Sequence, residues 1–337
     1  MLEFVLFVAS LFFCAGVGMW LCLLAVRATK VALGQRRRRY RNAILAAITR
    51  FRMKPEPERL VEELRQADPA ALIEIASRLL PLFSAKEREV FETALARSRL
   101  ALFMRGRIGG ANEAKRLLYC ELLGVLGSER ASGTLKKAMD DPSPAVRIAA
   151  AISLAARGEI VNVRALLARL GTDARRSARL TYLFEELLVE RLEDVRSIAG
   201  DLKLEPRVRI SASVALSRLG EAEYRDRVGR MVADPSPPVA AAAARLLLEG
   251  PHPDAAPLIA KLLASNSTMV RREASECAAR LQDVGLAPAL RRVLRDRDPV
   301  IHAAAARSLV HLAQGTRPGA SRAVPAPRAR ELRRATG

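Results

Sequence analysis

The feature that most constrains this chain is a sequence pattern with a 31-residue period. One copy of it is the stretch at residues 141–158, DPSPAVRIAAAISLAARG. Branched apolar residues keep this register along the chain: Val146, Val208, Val239, Val270 and Ile301. An alanine follows four residues after each of them: Ala150, Ala212, Ala243, Ala274 and Ala305. A fixed period of this length is typical of stacked repeats, so the sequence predicts a repeat array.

Each period carries the signals of two helices. The position three residues before the branched apolar residue is suited to capping a helix in five of seven copies: Asn112, Ser143, Ala174, Glu205, Ser236, Ser267 and Asp298. Proline often follows, where its missing amide hydrogen costs nothing. A second apolar column predicts the second helix: Leu135, Leu166, Val228, Ile259 and Leu290. One helix pair cannot bury its apolar side alone, so successive pairs are expected to stack into an all-α solenoid.

The pattern D-P-S-P-x-V-R-x-A-A-A-x-x-L at residues 141–154 resembles the HEAT repeat. The 31-residue period is similar to its short, phycobilisome-lyase-type form, and the resemblance covers residues 112–315. It implies an α-solenoid of stacked helix pairs. It also implies that turn aspartates pair with helix arginines along the stack: Asp141, Asp234 and Asp296 with Arg116, Arg147, Arg209 and Arg271. Because Ala240 and His302 replace arginine, the ladder is expected to break toward the C-terminus, and the unit around Ser177 is expected to be irregular.

The N-terminal region has a different character. Residues 4–26 contain no charged residue, and a helix of that length spans about 35 Å, which predicts a single transmembrane helix ahead of the repeats. A cleaved signal peptide fits less well, because no basic segment precedes the apolar run and no small-residue cleavage site follows it. Basic residues after the span predict an outside N-terminus and cytoplasmic repeats in a bacterial-type inner membrane. The predicted membrane-interface residues are Arg36, Arg37, Arg38 and Arg39.

These patterns divide the chain into five segments. We expect a transmembrane anchor at 1–26, a basic juxtamembrane segment at 27–54, an atypical helical cap region at 55–111, HEAT-like repeats at 112–315 and a disordered basic tail at 316–337. Residues 40–54 have the spacing of an amphipathic helix, which lies on the membrane, caps the solenoid or continues the membrane helix; the sequence leaves all three open. Within the cap region, Asp68 and Ser84 are expected to cap helices, and Gly109-Gly110 is expected to end one.

The net charge of +20 is concentrated in the flanks. Residues 27–54 carry +10 and residues 316–337 carry +5, which leaves only +6 for residues 55–315. A body this weakly basic, in a chain that is only 4% aromatic, argues against nucleic acid as the partner, because nucleic-acid binding needs many phosphate contacts or stacking surfaces. Anionic lipid headgroups and a protein partner are the expected partners.

No catalytic or metal-binding pattern accompanies the repeats. The three histidines, His252, His302 and His311, form no HExxH motif, and the four cysteines have no metal-ligand spacing. One enzyme family built on HEAT-like repeats, deoxyhypusine hydroxylase, holds two irons with His-Glu pairs, and no His-Glu dipeptide occurs here. Bilin lyases share the repeat type, but the repeats alone do not indicate lyase chemistry. The sequence therefore predicts no enzyme, no metal, no cofactor and no small-molecule substrate.

One set of basic residues stands out on the predicted second helices. Lys137, Arg230, Lys261 and Arg292 share one register, two residues past the apolar column. The second helices of such solenoids usually line the concave face, so these residues predict a basic strip for an acidic protein segment or a polyanion. Favourable placement of cations at helix C-termini is the plainer explanation. The sequence favours a membrane-anchored scaffold or adaptor for a protein partner; the alternatives are polyanion or nucleic-acid binding and a lyase-like enzyme.

Overall fold

The computed structural model describes residues 19–20, 22–24, 26–27, 35, 38–127 and 129–315. Within these ranges the chain forms helices and no β-strand. It divides into two compact units, Met1–Ser153 and Leu154–Gly337, which we describe one at a time. The predicted all-α fold is confirmed for the described residues.

The first unit consists of short helices joined by tight turns. Two 3₁₀ turns, Leu80–Leu82 and Ile108–Gly110, follow the third and fifth helices. The helices are α1 (38–53), α2 (Pro57–Arg65), α3 (Pro69–Leu79), α4 (Ala85–Arg97), α5 (Leu100–Arg107), α6 (Glu113–Val125), α7 (Glu129–Ala138) and α8 (Pro144–Ala155), the last two residues of α8 being counted with the second unit.

Helix α1 packs into the first unit. Its apolar residues Ile44 and Ile48 are buried, with exposures of 3% and 5%. On its polar side, Arg50 contacts Glu63 of α2, and Arg52 donates through Nε to Glu87 of α4 over 2.8 Å. Because the apolar face of α1 is covered by protein, this segment packs as a cap on the neighbouring helices of the first unit.

The helix boundaries of the first unit follow the predicted caps. Asp68 accepts the amide of Ala71 over 3.0 Å at the start of α3. Ser84 and Glu87 exchange side-chain and backbone hydrogen bonds at the start of α4, which satisfies two of the amides that a helix start leaves unpaired. Helix α5 ends at Arg107, immediately before the 3₁₀ turn that contains both predicted breaker glycines. These three predictions are confirmed.

The second unit holds the remaining repeats. Its helices alternate between first and second helices, and every first helix except α10 begins at the predicted cap. They are α9 (Val163–Arg175), α10 (Leu180–Gly200), α11 (Pro206–Leu216), α12 (Glu221–Val232), α13 (Pro237–Leu246), α14 (Ala255–Leu263), α15 (Thr268–Leu281), α16 (Ala287–Val293) and α17 (Pro299–Gly315), with a 3₁₀ turn at Val284–Leu286.

The periodic register is confirmed by the first helices. Helices α6, α8, α11, α13, α15 and α17 each begin one residue after the predicted cap. The branched apolar column and the alanine column are buried at every position, and no alanine of the column is measurably exposed. A small residue at that point lets neighbouring helices pack closely, so the recurring alanine is explained by packing.

The degenerate unit departs from the register, as expected. Its first helix begins at Leu180 instead of following Ala174, where neither a capping side chain nor proline is present. Helix α9 changes direction at Gly171, whose φ of 74° is readily adopted only by glycine. Helix α10 contains a break at Arg191 (φ −128°, ψ 34°), which separates it into two shorter helical pieces. The unit thus keeps two helices but places them differently.

The structure contradicts the predicted membrane location. Among the described residues, no helix has both the length and the apolar composition that crossing a bilayer requires. Most of the predicted span at residues 4–26 lies outside the described residues, as does the tail at 316–337. The predictions of an outside N-terminus and of cytoplasmic repeats depended on that span and are withdrawn with it. Of the four interface arginines, Arg38 and Arg39 are exposed on α1, and Arg36 and Arg37 lie outside the described residues.

Candidate functional site

Arginine–aspartate pairs join successive turns of the repeats, and the two partners are always separated by the same interval in the sequence. In the first unit, Arg116 donates to Asp141 through Nε (2.8 Å) and Nη2 (2.9 Å). In the second unit, Arg271 donates to Asp296 through Nε over 2.6 Å. The pair between Arg209 and Asp234 has the same spacing. The predicted ladder is confirmed at these three rungs.

The aspartates of the ladder also fix the helix starts. Each accepts, through Oδ1, the amide of the residue two positions later: Ser143 over 2.9 Å, Ser236 over 2.8 Å and Asp298 over 3.0 Å. The predicted capping role of the column is only partly right. Asn112 does accept the amide of Lys115 through its side chain, but the serines at 236 and 267 make no such bond. At residue 236 the preceding aspartate orders the turn instead.

The ladder shifts the ionisation of its members. Burial raises the pKa of Asp141, but hydrogen bonds from Arg116 and from the amide of Ser143 outweigh it, so its pKa lies below the usual 3.8. For Asp296, the hydrogen bond from Arg271 and the amide of Asp298 likewise lower the pKa. Both carboxylates are therefore charged across the neutral pH range.

The ladder is interrupted more than once: Thr172 and Lys203 stand at the aspartate positions between the rungs at Asp141 and Arg209. Ala240 stands in the arginine column, and Ser265 stands at the matching aspartate position, at the sequence interval that the formed rungs keep. The next rung, at Arg271, is nevertheless formed. His302 occupies the following arginine position and contacts the carbonyl of Leu294 through Nδ1 over 2.7 Å. Arginine is thus missing at both predicted positions, 240 and 302, with one formed rung between them, and the contacts of the ladder are structural.

Three of the four predicted binding residues lie at the same position of consecutive second helices in the second unit. We call Arg230, Lys261 and Arg292 the basic column. Helix α12 packs against α14 and α14 against α16, so the column crosses three adjacent helices near their C-terminal ends. All three side chains are exposed. The structure therefore places these three residues on one row of adjacent helices.

The members of the basic column differ in their partners. Arg230 pairs with Asp226 one turn earlier on α12, with Nε 2.8 Å from Oδ2. The corresponding positions on α14 and α16 are Pro257 and Pro288. Among the described residues, Lys261 and Arg292 have no acidic partner. Their charges are consequently available to a ligand.

Two further arginines extend the column, and the sequence reasoning missed them. Arg291 and Arg295 are exposed at the C-terminal end of α16 and just beyond it, and within the described part of the chain neither has an acidic partner. Their positions do not recur from repeat to repeat, so a search by register could not find them. The absence of acidic residues from 287 to 295 is the signal that could have identified them.

The fourth predicted residue, Lys137, lies in the first unit and lines a cleft of about 630 Å³. The cleft lies between α5, α7 and the turn that follows α7, and it includes Arg105 and the rung Arg116–Asp141. Lys137 and Arg105 are exposed. Sequence reasoning placed Lys137 in one strip with the basic column, and within the first unit the structure places it in this cleft.

Metal chemistry has no evident centre in the described residues. There, no group of three or more His, Cys, Asp or Glu side chains is arranged to hold a metal ion. His252 accepts the amide of Asp254 through Nδ1 over 3.1 Å, and His311 is exposed on α17. The histidines thus serve local turns or face solvent.

Comparison with known proteins identifies the repeats. A family model described as HEAT repeats matches residues 105–183 and 225–310. Among curated proteins, none matches the chain. Among solved structures, that of human deoxyhypusine hydroxylase in complex with glycerol matches with 18% identity and a TM-score of 0.33, covering 73% of this chain and 97% of that one.

This match corrects one prediction. The sequence predicted that the protein is not an enzyme, and the match to the structure of a hydroxylase contradicts that prediction. A TM-score of 0.33 at 18% identity assigns no activity, substrate or metal to this chain.

Proposed function

We propose that this chain of HEAT repeats is a scaffold that binds an acidic segment of a partner protein along the basic column. The observation that carries the proposal is the position of Arg230, Lys261 and Arg292 at one register on adjacent, mutually packed helices. Two of the three have no acidic partner among the described residues. A row of cations at repeat spacing suits an extended chain with several carboxylates.

The chemistry of the surrounding surface favours a protein over a nucleic acid. Proteins that bind single-stranded nucleic acids combine cations with exposed aromatic side chains, on which the bases stack. On helices α12, α14 and α16 the one aromatic residue is Tyr224, which is buried and hydrogen-bonded to the carbonyl of Leu246 over 2.9 Å. The basic column thus offers charge without a stacking surface, which matches carboxylates better than bases.

We further propose that the repeats are the short, phycobilisome-lyase-type form and stack as an α-solenoid. The support is the constant interval between the starts of α11, α13, α15 and α17, which equals the period of the sequence pattern. Such an array would present successive second helices side by side, as the basic column requires.

The proposal is tested by binding of a fluorescein-labelled octaglutamate peptide, measured by fluorescence anisotropy. The double variant Lys261→Ala/Arg292→Ala removes two charges of the basic column, and Arg207→Ala/Arg307→Ala removes two exposed charges from the first helices α11 and α17. Exposed ion pairs contribute up to about 1 kcal/mol each, so the first variant should weaken binding by about fivefold or more. The second variant should leave it nearly unchanged.

Equal losses in the two double variants would show that net charge alone governs binding, and would overturn the proposal. A single-stranded oligonucleotide that bound more tightly than octaglutamate, through the same two residues, would replace the protein partner by a nucleic acid.

A further inference from the structure

We infer that the cleft of the first unit is a binding site for a small organic anion whose charged group is a carboxylate or a phosphate. This inference does not depend on the basic column, which lies in the second unit. The cleft, of about 630 Å³, falls in the usual range of small-molecule sites, about 300–1,000 Å³. Its walls come from α5, the 3₁₀ turn after it, α7 and the turn that leads to α8.

The charges of the cleft are unbalanced. Four charged side chains line it: Arg105, Arg116, Lys137 and Asp141. Arg116 and Asp141 neutralise each other through two hydrogen bonds, and their side chains are only 19% and 11% exposed. Arg105 and Lys137 have no acidic partner among the described residues. The cleft therefore carries two positive charges that nothing within it offsets.

The one carboxylate in the cleft is fully used by the fold. Oδ2 of Asp141 accepts from Arg116, while Oδ1 accepts both from Arg116 and from the amide of Ser143. Arg116 also donates through Nη1 to the carbonyl of Ala111 over 2.9 Å. Because the hydrogen bonds of Asp141 are all made to Arg116 and Ser143, Asp141 does not serve as the counter-ion of Lys137. An external anion takes that role.

The shape of the cleft leaves room beside these charges. A Cβ atom added at Gly109 or at Gly133 would meet nothing within 4 Å. Gly133 lies inside α7, where glycine lowers helix stability and where packing does not require it. The open backbone lets a ligand approach closely, and Ile108 and Pro142 supply apolar contact. This combination fits an anionic group on an organic body better than a bare ion.

The test is isothermal titration calorimetry of the full chain with benzoate, phenyl phosphate, inorganic phosphate and the octaglutamate peptide. Benzoate or phenyl phosphate is expected to bind, and whichever binds more tightly identifies the charged group. Lys137→Ala and Arg105→Ala should each weaken that binding by about fivefold or more. Lys115→Ala, an exposed change on α6 outside the cleft, is the matched control and should have no effect. Gly133→Leu keeps all charges and should abolish binding by filling the cleft, with Gly133→Ala as a milder version.

Several results would overturn the inference. The first is that neither organic anion binds with a dissociation constant below about 10 mM. The second is an equal loss of binding in the Lys137→Ala and Lys115→Ala variants. The third is unchanged binding in a folded Gly133→Leu variant. Inorganic phosphate binding as tightly as phenyl phosphate would reduce the cleft to a simple ion site. Octaglutamate binding tests the proposed function separately. If changes in the basic column abolish it and Lys137→Ala leaves it unchanged, the result supports the proposed function and does not bear on the cleft.

Discussion

Replacing Asp296 by alanine should destabilise the second unit by about 2–3 kcal/mol. The side chain of Asp296 is 9% exposed and holds three hydrogen bonds: from Arg271 Nε (2.6 Å), from Arg271 Nη2 (3.4 Å) and from the amide of Asp298 (3.0 Å). Hydrogen bonds to charged groups contribute about 1.5–3 kcal/mol each. Removing one partner of a fully buried ion pair costs about 3–5 kcal/mol.

The expected loss lies below that upper range because Arg271 keeps other partners. Its Nη1 donates to the carbonyls of Ser265 (2.9 Å) and Asn266 (3.0 Å), so the cation is not left uncompensated. Urea unfolding followed by circular dichroism measures the free energy of unfolding of Asp296→Ala, of Arg271→Met and of the double variant. The double-mutant cycle should give a coupling of about 1–2 kcal/mol.

An exposed ion pair of the same unit supplies the control. Arg245 and Glu273 are 2.9 Å apart at their nearest atoms, but the side chain of Arg245 is 60% exposed, so their coupling should stay below about 1 kcal/mol. If the coupling between Arg271 and Asp296 were no larger than that of this exposed pair, the ladder would not stabilise the fold and the reasoning above would be refuted.

The same rung predicts a pH dependence. The hydrogen bond from Arg271 and that from the amide of Asp298 lower the pKa of Asp296 in the folded state. Its contribution to stability is therefore fully present above the ordinary pKa of 3.8 and is lost as the pH falls from there through the lower folded-state pKa. Stability measured against pH should fall less steeply on the acid side for Asp296→Ala than for the unchanged chain.

Two further predictions concern packing and reactivity. Gly124→Ala would place a Cβ 2.6 Å from the Oγ of Ser153, so overpacking of about 1–3 kcal/mol should outweigh the gain of about 1 kcal/mol in helix propensity; a variant as stable as the original in urea unfolding would contradict this. Burial raises the pKa of Cys120 and of Cys277 to about 12, so iodoacetamide at pH 8 should label both only after unfolding, as mass spectrometry can show. If both thiols in the native protein were labelled as fast as in the unfolded protein, they would not be buried.

Periodic features of the fold were predictable and local ones were not. The branched apolar and alanine columns could be predicted because each position repeats the same packing environment. The breaks at Gly171 and Arg191 could not be located, because a degenerate unit signals that the register fails without specifying where the backbone turns. The capping role of Ser236 was misjudged: its side chain makes no bond to the helix start, and Asp234 orders the turn by accepting the amide of Ser236.

The candidate sites divide in the same way. The basic column follows from register alone, since Lys261 and Arg292 occupy the same position of successive repeats. The cleft does not, because Arg105 lies before the periodic region and meets Lys137 only through the packing of α5 and α7. Only the structure shows that no atom lies close enough to Gly109 or Gly133 to require a glycine there.

The ladder has a consequence for how such a chain can change its length. Each rung involves one turn and the next turn along, and no contact of a rung reaches further. Residues 237–267 contribute neither an arginine nor an aspartate to the formed rungs. Without those residues, Asp234 would stand six positions before Arg271, the interval at which Arg147 now donates to the carbonyl of Asp141. A unit of this length can therefore be inserted or deleted without separating the arginine from the aspartate of any remaining rung.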